Sequence, residues 1–178
     1  MVSSSQQAPG DLERVRELLN TWLVPNDTRV PTDRLDQLAR ALRMRGRKEV
    51  ARVRALRDDL RAAVEAGPLA LGRIDAWIPR LQLRPALRDR DAAIHFEHRG
   101  GAAGDYLAIV LRAIEDETWA RLKACPDCRW VFFDHTRNAG KRWCLMNARG
   151  PTGRACGTID KVRRFRERQR QTRRVASS

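Results

Sequence analysis

With 178 residues, 42% hydrophobic and 33% charged, the chain has the balance of a folded, highly charged globular protein, which excludes an intrinsically disordered one. No apolar run approaches the ~20 residues that a membrane-spanning helix needs. Lys and Arg outnumber Asp and Glu by 36 to 22, and the excess is uneven. Residues 121–178 hold 16 basic and four acidic side chains, a net +12, and the rest of the chain is only +2. That asymmetry points to a polyanion partner, nucleic acid ahead of an anionic membrane surface.

The N-terminus, MVSSSQQAPGDLERV, has neither a basic n-region nor an apolar h-region, so no secretory signal is read and a cytoplasmic location is expected. Residues 1–10 offer little to bury and are expected to be disordered. Residues 11–123 read as a helical domain with a β-hairpin. Asp11 can cap a first helix, in which Val15, Leu18, Leu19, Trp22 and Leu23 recur at helical spacing until Pro25-Asn26-Asp27. Thr32 can cap a second, with a stripe of Leu35, Leu38, Leu42 and Met44. After Gly46 a long helix is expected over 47–66, carrying Val50, Val53, Leu56, Leu60 and Val64, and Gly67-Pro68 stops it. A short helix can follow over Leu69–Trp77. The period then changes. Leu81, Leu83 and Leu87, and then Ile94 and Phe96, alternate on either side of Arg-Asp-Arg-Asp, a β-hairpin pattern ending at Gly100-Gly101. Pro85 places its first strand at an edge or a bulge. The next helix is expected from Ala103 to Lys123, with Leu107, Val110, Leu111 and Ile114 on its apolar face and Trp119 and Leu122 able to extend it. The fold class is α+β, mainly α. No Gly-rich phosphate loop follows a strand, which argues against a nucleotide-binding αβ domain. Asn20 and Arg57, polar residues beside apolar helical stripes, are candidates for a ligand pocket in this body.

All four cysteines fall within 32 residues, spaced C-x2-C-x15-C-x11-C: Cys125, Cys128, Cys144 and Cys156. A C-x2-C turn aims backbone N–H groups at two thiolates on one side of a metal, and a second pair completes a tetrahedral S4 shell. In a reducing compartment such a cluster reads as a metal site before a disulfide framework. Soft thiolates suit Zn2+ or an iron–sulfur cluster. With no electron-transfer motif nearby, a structural Zn2+ is expected. A thioredoxin-like redox pair lacks its βαβ context here. Trp130, Phe132 and Trp143 are expected to cover the metal. Zinc supplies on the order of 10 kcal/mol or more of folding free energy to units of this size. His135 reads as solvated or phosphate-facing, and His95 and His98 as ordinary surface or core histidines. Four thiolates fill a zinc shell and no nucleophile–base arrangement is visible, so no enzyme is expected.

The segment GTIDKVRRFRERQRQTRRV, residues 157–175, reads as a helix capped by Thr158, with Asp160 in its first turn. Ile159, Val162 and Phe165 form a narrow stripe that can dock on the zinc unit. Lys161, Arg163, Arg164, Arg166 and Arg168 surround it with few acidic partners. Together with Arg137, Lys141 and Arg142 of the preceding loop they are the expected contacts to double-stranded DNA. Aromatic residues are too few to favour stacking on single strands. A small treble-cleft or ribbon-like zinc finger with its basic helix is thus expected over 124–170, and a disordered tail over 171–178. The alternative is a zinc-thiolate redox or stress sensor, or a protein-interaction module without sequence-specific DNA binding.

The run CPDCRWVFFDHTRNAGKRWC, followed by CGTIDKVRRFRER, resembles the CGNR zinc finger. The match rests on the four cysteines with Phe133, Asp134, Arg137, Asn138, Lys141, Arg142, Trp143, Gly157, Lys161, Val162 and Arg163. Thr158-Ile159 stand where that family has Asn-Arg, and the segment before Cys156 carries an insertion. Upstream, Leu19-Asn20-Thr21 resembles an early Asn-Thr of the ABATE domain that precedes such fingers in bacterial proteins. The resemblance implies a zinc-binding, DNA-binding transcription regulator, some relatives being linked to stress. Its N-terminal domain is then expected to sense a small-molecule effector or to form a homodimer.

Overall fold

A computed structural model describes residues 6–25, 28–88, 91–145 and 155–176. The first helix, α1 (Leu12–Leu19), buries Val15, Leu18 and Leu19. It is shorter than its apolar spacing predicts. After Asn20-Thr21 the chain extends, and Trp22 and Leu23 form β1 (Trp22–Leu23), paired antiparallel with β2 (Thr32–Asp33). The Asp11 side chain does not cap α1. It pairs with Arg14 at 3.7 Å, and its backbone carbonyl accepts the Arg14 N–H. Thr32 likewise lies in β2, and the carboxylate that receives the Leu35 N–H at the start of α2 (Leu35–Ala41) is Asp33.

The long helix α3 (Gly46–Ala66) matches its apolar spacing: Val53, Leu56, Leu60 and Val64 are buried. Gly67 ends it at φ +109°, a conformation that suits a residue without a Cβ. Two single-turn helices, α4 (Gly72–Asp75) and α5 (Trp77–Arg80), stand where one short helix is expected. They bury Ile74 and Trp77, whose indole N–H donates to Asp59. The hairpin of β3 (Arg84–Arg88) and β4 (Asp91–Glu97) forms as the alternation predicts, with Pro85 opposite Phe96 and an irregularity at Leu87–Arg88. Its outer end carries an exposed cross-strand pair, Leu87 and Ile94.

The next helix, α6 (Ala102–Glu115), stops eight residues short of the expected Lys123. Glu117 takes φ +59°, a 3-10 turn follows over Trp119–Arg121, and Lys123 lies in β5 (Leu122–Ala124). Strand β5 pairs antiparallel with β6 (Val131–Phe133). The boundary expected between residues 123 and 124 therefore falls inside a strand. Leu122, Val131 and Phe133 belong to the same apolar core as Val15, Leu56 and Leu107 of the three main helices. The last helix, α7 (Cys156–Ala176), begins two residues before Thr158 and runs five residues past the expected start of the tail. Among the described residues, no helix is long and apolar enough to cross a membrane.

Residues 6–10, expected to be disordered, pack against the body. Gln6 is fully buried, and the Ala8 N–H donates to Glu13 at 2.7 Å. Composition hides this because the segment is held by polar bonds, not by an apolar stripe.

Candidate metal centre

The strands β5 and β6 bring the first two cysteines into place. Cys125 follows β5 directly, and the chain reverses through Cys125–Trp130. The Arg129 N–H donates to the Cys125 carbonyl at 2.8 Å and the Cys125 N–H to the Trp130 carbonyl at 2.9 Å. Arg129 closes the turn at φ +60°. The Cys128 amide bonds to Cys125, the N–H to sulfur arrangement that the C-x2-C spacing predicts. Cys144 approaches from the loop after β6, and Cys156 is the first residue of α7. The expected looping of the insertion before Cys156 lies, over residues 146–154, outside the described residues. Its two ends are joined by a 3.1 Å bond from the Gly157 N–H to the Leu145 carbonyl.

The four sulfurs are buried and lie within 4.8 Å of one another. Cys128 Sγ is 3.5 Å from Cys144 Sγ, which is 3.8 Å from Cys156 Sγ. Tetrahedral zinc with Zn–S bonds of about 2.3 Å sets its sulfurs about 3.8 Å apart, whereas a disulfide needs about 2 Å. The set therefore fits a metal shell, and Zn2+ held by Cys125, Cys128, Cys144 and Cys156 would supply the charge that lets all four be thiolates. Without a cation they cannot share that state. Hydrogen bonding with Cys128, Cys144 and Cys156 holds Cys125 well below the usual thiol range, while bonds to Cys125 push Cys144 and Cys156 well above it.

Strand β6 has two buried faces. Phe132 packs with the cysteines, joined at the edge by Trp130, Trp143 and Leu145, so the expected aromatic cover is in place. Val131 and Phe133 point the other way into the helical core. The body also grips this strand through polar groups. Asn20 Nδ2 donates to the Val131 carbonyl and the Val131 N–H donates to Asn20 Oδ1, both at 2.8 Å. Buried Arg16 adds a 3.3 Å bond to the same carbonyl and pairs with Glu13 at 2.5 Å. Arg61 donates to the Leu19, Trp22 and Arg129 carbonyls and lies over the Trp22 ring. Burial lowers its guanidinium to about 10, still cationic at neutral pH. Gln6 closes the other side, donating to the Cys144 carbonyl and accepting the Trp130 indole N–H.

Asn20 and Arg57, the expected pocket candidates, are both buried and bonded within the fold. Asn20 is used up on Val131. Arg57 is buried between Asp33, at 2.7 and 2.9 Å, Asp58 and Thr21.

A residue that sequence reasoning gave no role organises the basic loop. Asp134 is fully buried. Its Oδ1 accepts the Thr136 N–H and hydroxyl, and its Oδ2 accepts Lys123 Nζ and the Lys141 N–H. Burial alone would raise this carboxyl, but the bonds from Thr136, Lys123 and Lys141 hold it well below the ordinary carboxylate range. Lys123 also donates to the Ala139 carbonyl. The Asp-x-Thr spacing was the available signal, since Asx-type turns use it. His135 donates from Nε2 to the Gln7 carbonyl at 2.8 Å and rests on Phe133, so it ties down the N-terminal segment.

The predicted DNA-contacting residues fall in two groups. Arg137 and Arg142 are exposed on the loop, Arg142 over the Trp143 ring, while half-buried Lys141 sits over Phe132. On α7, Lys161, Arg163, Arg164, Arg166 and Arg168 are all exposed. Arg163 lies 3.6 Å from Asp127 in the cysteine turn, and Arg164 pairs with Asp160 at 2.9 Å. Of the stripe expected to dock α7, Ile159 is half-buried, but Val162 and Phe165 are 43% and 54% exposed.

Four buried cysteines on a hairpin turn, a loop and a helix start define a zinc finger of the four-thiolate class. Residues 121–169 match the family model of the CGNR zinc finger. Set against curated proteins, the chain finds no match.

Proposed function

We propose that the protein is a cytoplasmic DNA-binding transcription regulator in which α7 meets the duplex and a structural zinc fixes where α7 begins. One observation carries this reading: the strongly cationic helix starts on a metal ligand, Cys156, and projects its basic residues into solvent. Its root is braced twice. Gly157 bonds to Leu145, and Asp127 of the cysteine turn stands between Arg163 of α7 and Arg29 of the β1–β2 loop, whose Nη2 donates to the Asp127 carbonyl at 2.8 Å. Arginines on a preset helix can neutralise phosphates and address guanine edges. The metal is read as structural and the protein as no enzyme, because four thiolates leave no coordination position open. Full burial of the sulfurs favours this role over oxidant sensing, which needs an accessible thiolate. A small-molecule effector or a second copy of the chain would act through the N-terminal body.

The test is fluorescence anisotropy of the zinc-loaded chain on a pool of genomic duplex fragments across a salt series, with selection of the retained sequences. Enrichment of a common site that survives at about 0.15 M salt is expected. Binding that loses all sequence preference there would overturn the regulator reading and leave a non-specific polyanion binder.

A further inference from the structure

The near-neutral charge of the N-terminal body conceals a local excess. Between residues 40 and 54 stand Arg40, Arg43, Arg45, Arg47, Lys48, Arg52 and Arg54, against Glu49 alone. These residues form the end of α2, the turn and the start of α3, and the two helices enclose a broad-mouthed cleft of about 900 Å³. That volume is in the range of small-molecule sites. Its floor is apolar: Ala39, Met44, Val50 and Ala51. Its rim is cationic: Arg40, Arg43, Arg47 and Arg54.

The rim arginines are not equivalent. Arg54 is already committed, lying 2.8 Å from Asp36 and 3.4 Å from Asp33, which in turn holds Arg57. The one carboxylate on the rim, Asp36, is answered by that bond. Among the described residues, Arg40, Arg43 and Arg47 have no acidic partner. Glu49 is turned elsewhere, accepting the Arg45 and Ala102 N–H groups at 2.6 and 3.1 Å. The cleft therefore presents three uncompensated guanidiniums around an apolar floor. A phosphodiester backbone would meet the rim but leave the floor bare. An occupant satisfying both has an anionic head and a hydrophobic body.

We infer that the α2–α3 cleft binds a small organic anion, a carboxylate or phosphate ester with an aromatic or aliphatic body. The head pairs with Arg43 and Arg47, and the body lies on Met44, Val50 and Ala51. This gives the effector expected for the N-terminal body a place and a chemistry, and it rests on that part of the functional reading. It does not require α7 to bind DNA. The α3 residues of the cleft, Gly46 to Arg54, lie about 10–22 Å along α3 from Arg61, which touches the finger, at about 1.5 Å of rise per residue.

The experiment is calorimetric titration of the zinc-loaded full chain with 2-naphthoate and 1-naphthyl phosphate, with inorganic phosphate as the head-group control. Saturable one-to-one binding of at least one aromatic anion is expected, with inorganic phosphate about tenfold weaker or worse. Arg43→Gln with Arg47→Gln should weaken it about tenfold, the loss that a charge-assisted bond represents. Ala51→Glu should do the same, since it places a carboxylate on the floor at a helix position that accepts Glu readily. An Arg163→Gln, Arg166→Gln chain should bind the probe as the wild type does, which separates this site from α7. Unaltered thermal melting of the variants keeps the comparison valid. The inference is overturned if neither aromatic anion saturates, if the cleft variants bind as the wild type does, or if inorganic phosphate binds equally well. It is overturned in favour of a second nucleic-acid surface if duplex DNA displaces the probe and the Arg43, Arg47 variant loses DNA affinity.

Discussion

The two halves of the zinc unit, the β5–β6 hairpin and α7, obey opposite rules. Every residue of β6 is buried, its partners Asn20 and Arg16 come from the helical body, and Arg61 of the body holds the Arg129 carbonyl in the turn before it. On α7, residues 161–170 are all exposed, Val162 and Phe165 included. One family match spans both, from 121 to 169. The difference shows that the hairpin is part of the body's core, whereas α7 leaves its buried root at Cys156 and Gly157 with residues 161–170 exposed. A metal held by the four thiolates would join the two, with Cys125 and Cys128 on the hairpin side, Cys144 on the loop after it and Cys156 on the helix.

Removing the metal should break this contrast most severely. Cys128→Ser takes away one thiolate and with it much of the folding free energy of the shell, on the order of 10 kcal/mol. Because Leu122, Val131 and Phe133 fill the main core, the loss should not stay local. The expected outcome is zinc content near zero and a collapse of the thermal transition for the whole chain. A variant that loses zinc but melts like the wild type would show that the hairpin and the body are independent. Asn20→Ala comes next. It strips two buried backbone bonds from Val131, whose carbonyl keeps only the 3.3 Å contact from Arg16. A loss of about 2–3 kcal/mol is expected by urea denaturation, with zinc content retained.

The hairpin side was legible in the sequence as a metal site and illegible as a joint. C-x2-C spacing and clustering specify four ligands, because metal geometry constrains short-range spacing. They say nothing of Asn20 or Gln6, which reach the finger across 111 and 138 residues. A single polar side chain has no periodicity to reveal it. Helix α3 was plain because an apolar stripe sustained over 21 residues has few alternatives. The segments after α1 and α6 were misread for the converse reason. Trp22, Leu23, Trp119 and Leu122 fit a helical stripe, and tertiary packing placed them in strands or a 3-10 turn instead. The Arg40–Arg54 excess was visible by counting and was masked by averaging charge over 120 residues.

Asp134→Asn tests how the basic loop is held, at a smaller scale. The amide presents a donor where Lys123 Nζ or the Lys141 N–H now donates, and about 2 kcal/mol of stability should go at neutral pH. The acid side gives the sign. The folded carboxyl lies below its unfolded value of about 3.9, so its contribution is complete above that pH and is lost as pH falls through the folded value. The gap between wild type and variant, from denaturation curves at matched pH, should therefore close on acidification below about pH 4. A gap that stays constant there would mean that the Asp134 charge has no share in it.

The smallest effect on stability is expected on α7, where the largest effect on binding is proposed. Lys161 and Arg166 are exposed and have no acidic partner among the described residues. Changing both to Gln should leave the urea midpoint within about 0.5 kcal/mol of the wild type. If α7 lies along a duplex, each lost phosphate contact lowers the slope of log affinity against log salt by about 0.9, so the double variant should lose about 2 from that slope. Anisotropy at four or five salt concentrations measures this directly. An unchanged slope with an unchanged fold would move the polyanion contact off α7, to Arg137 and Arg142 of the Asp134 loop, and leave the helix with its exposed Val162 and Phe165 to another surface.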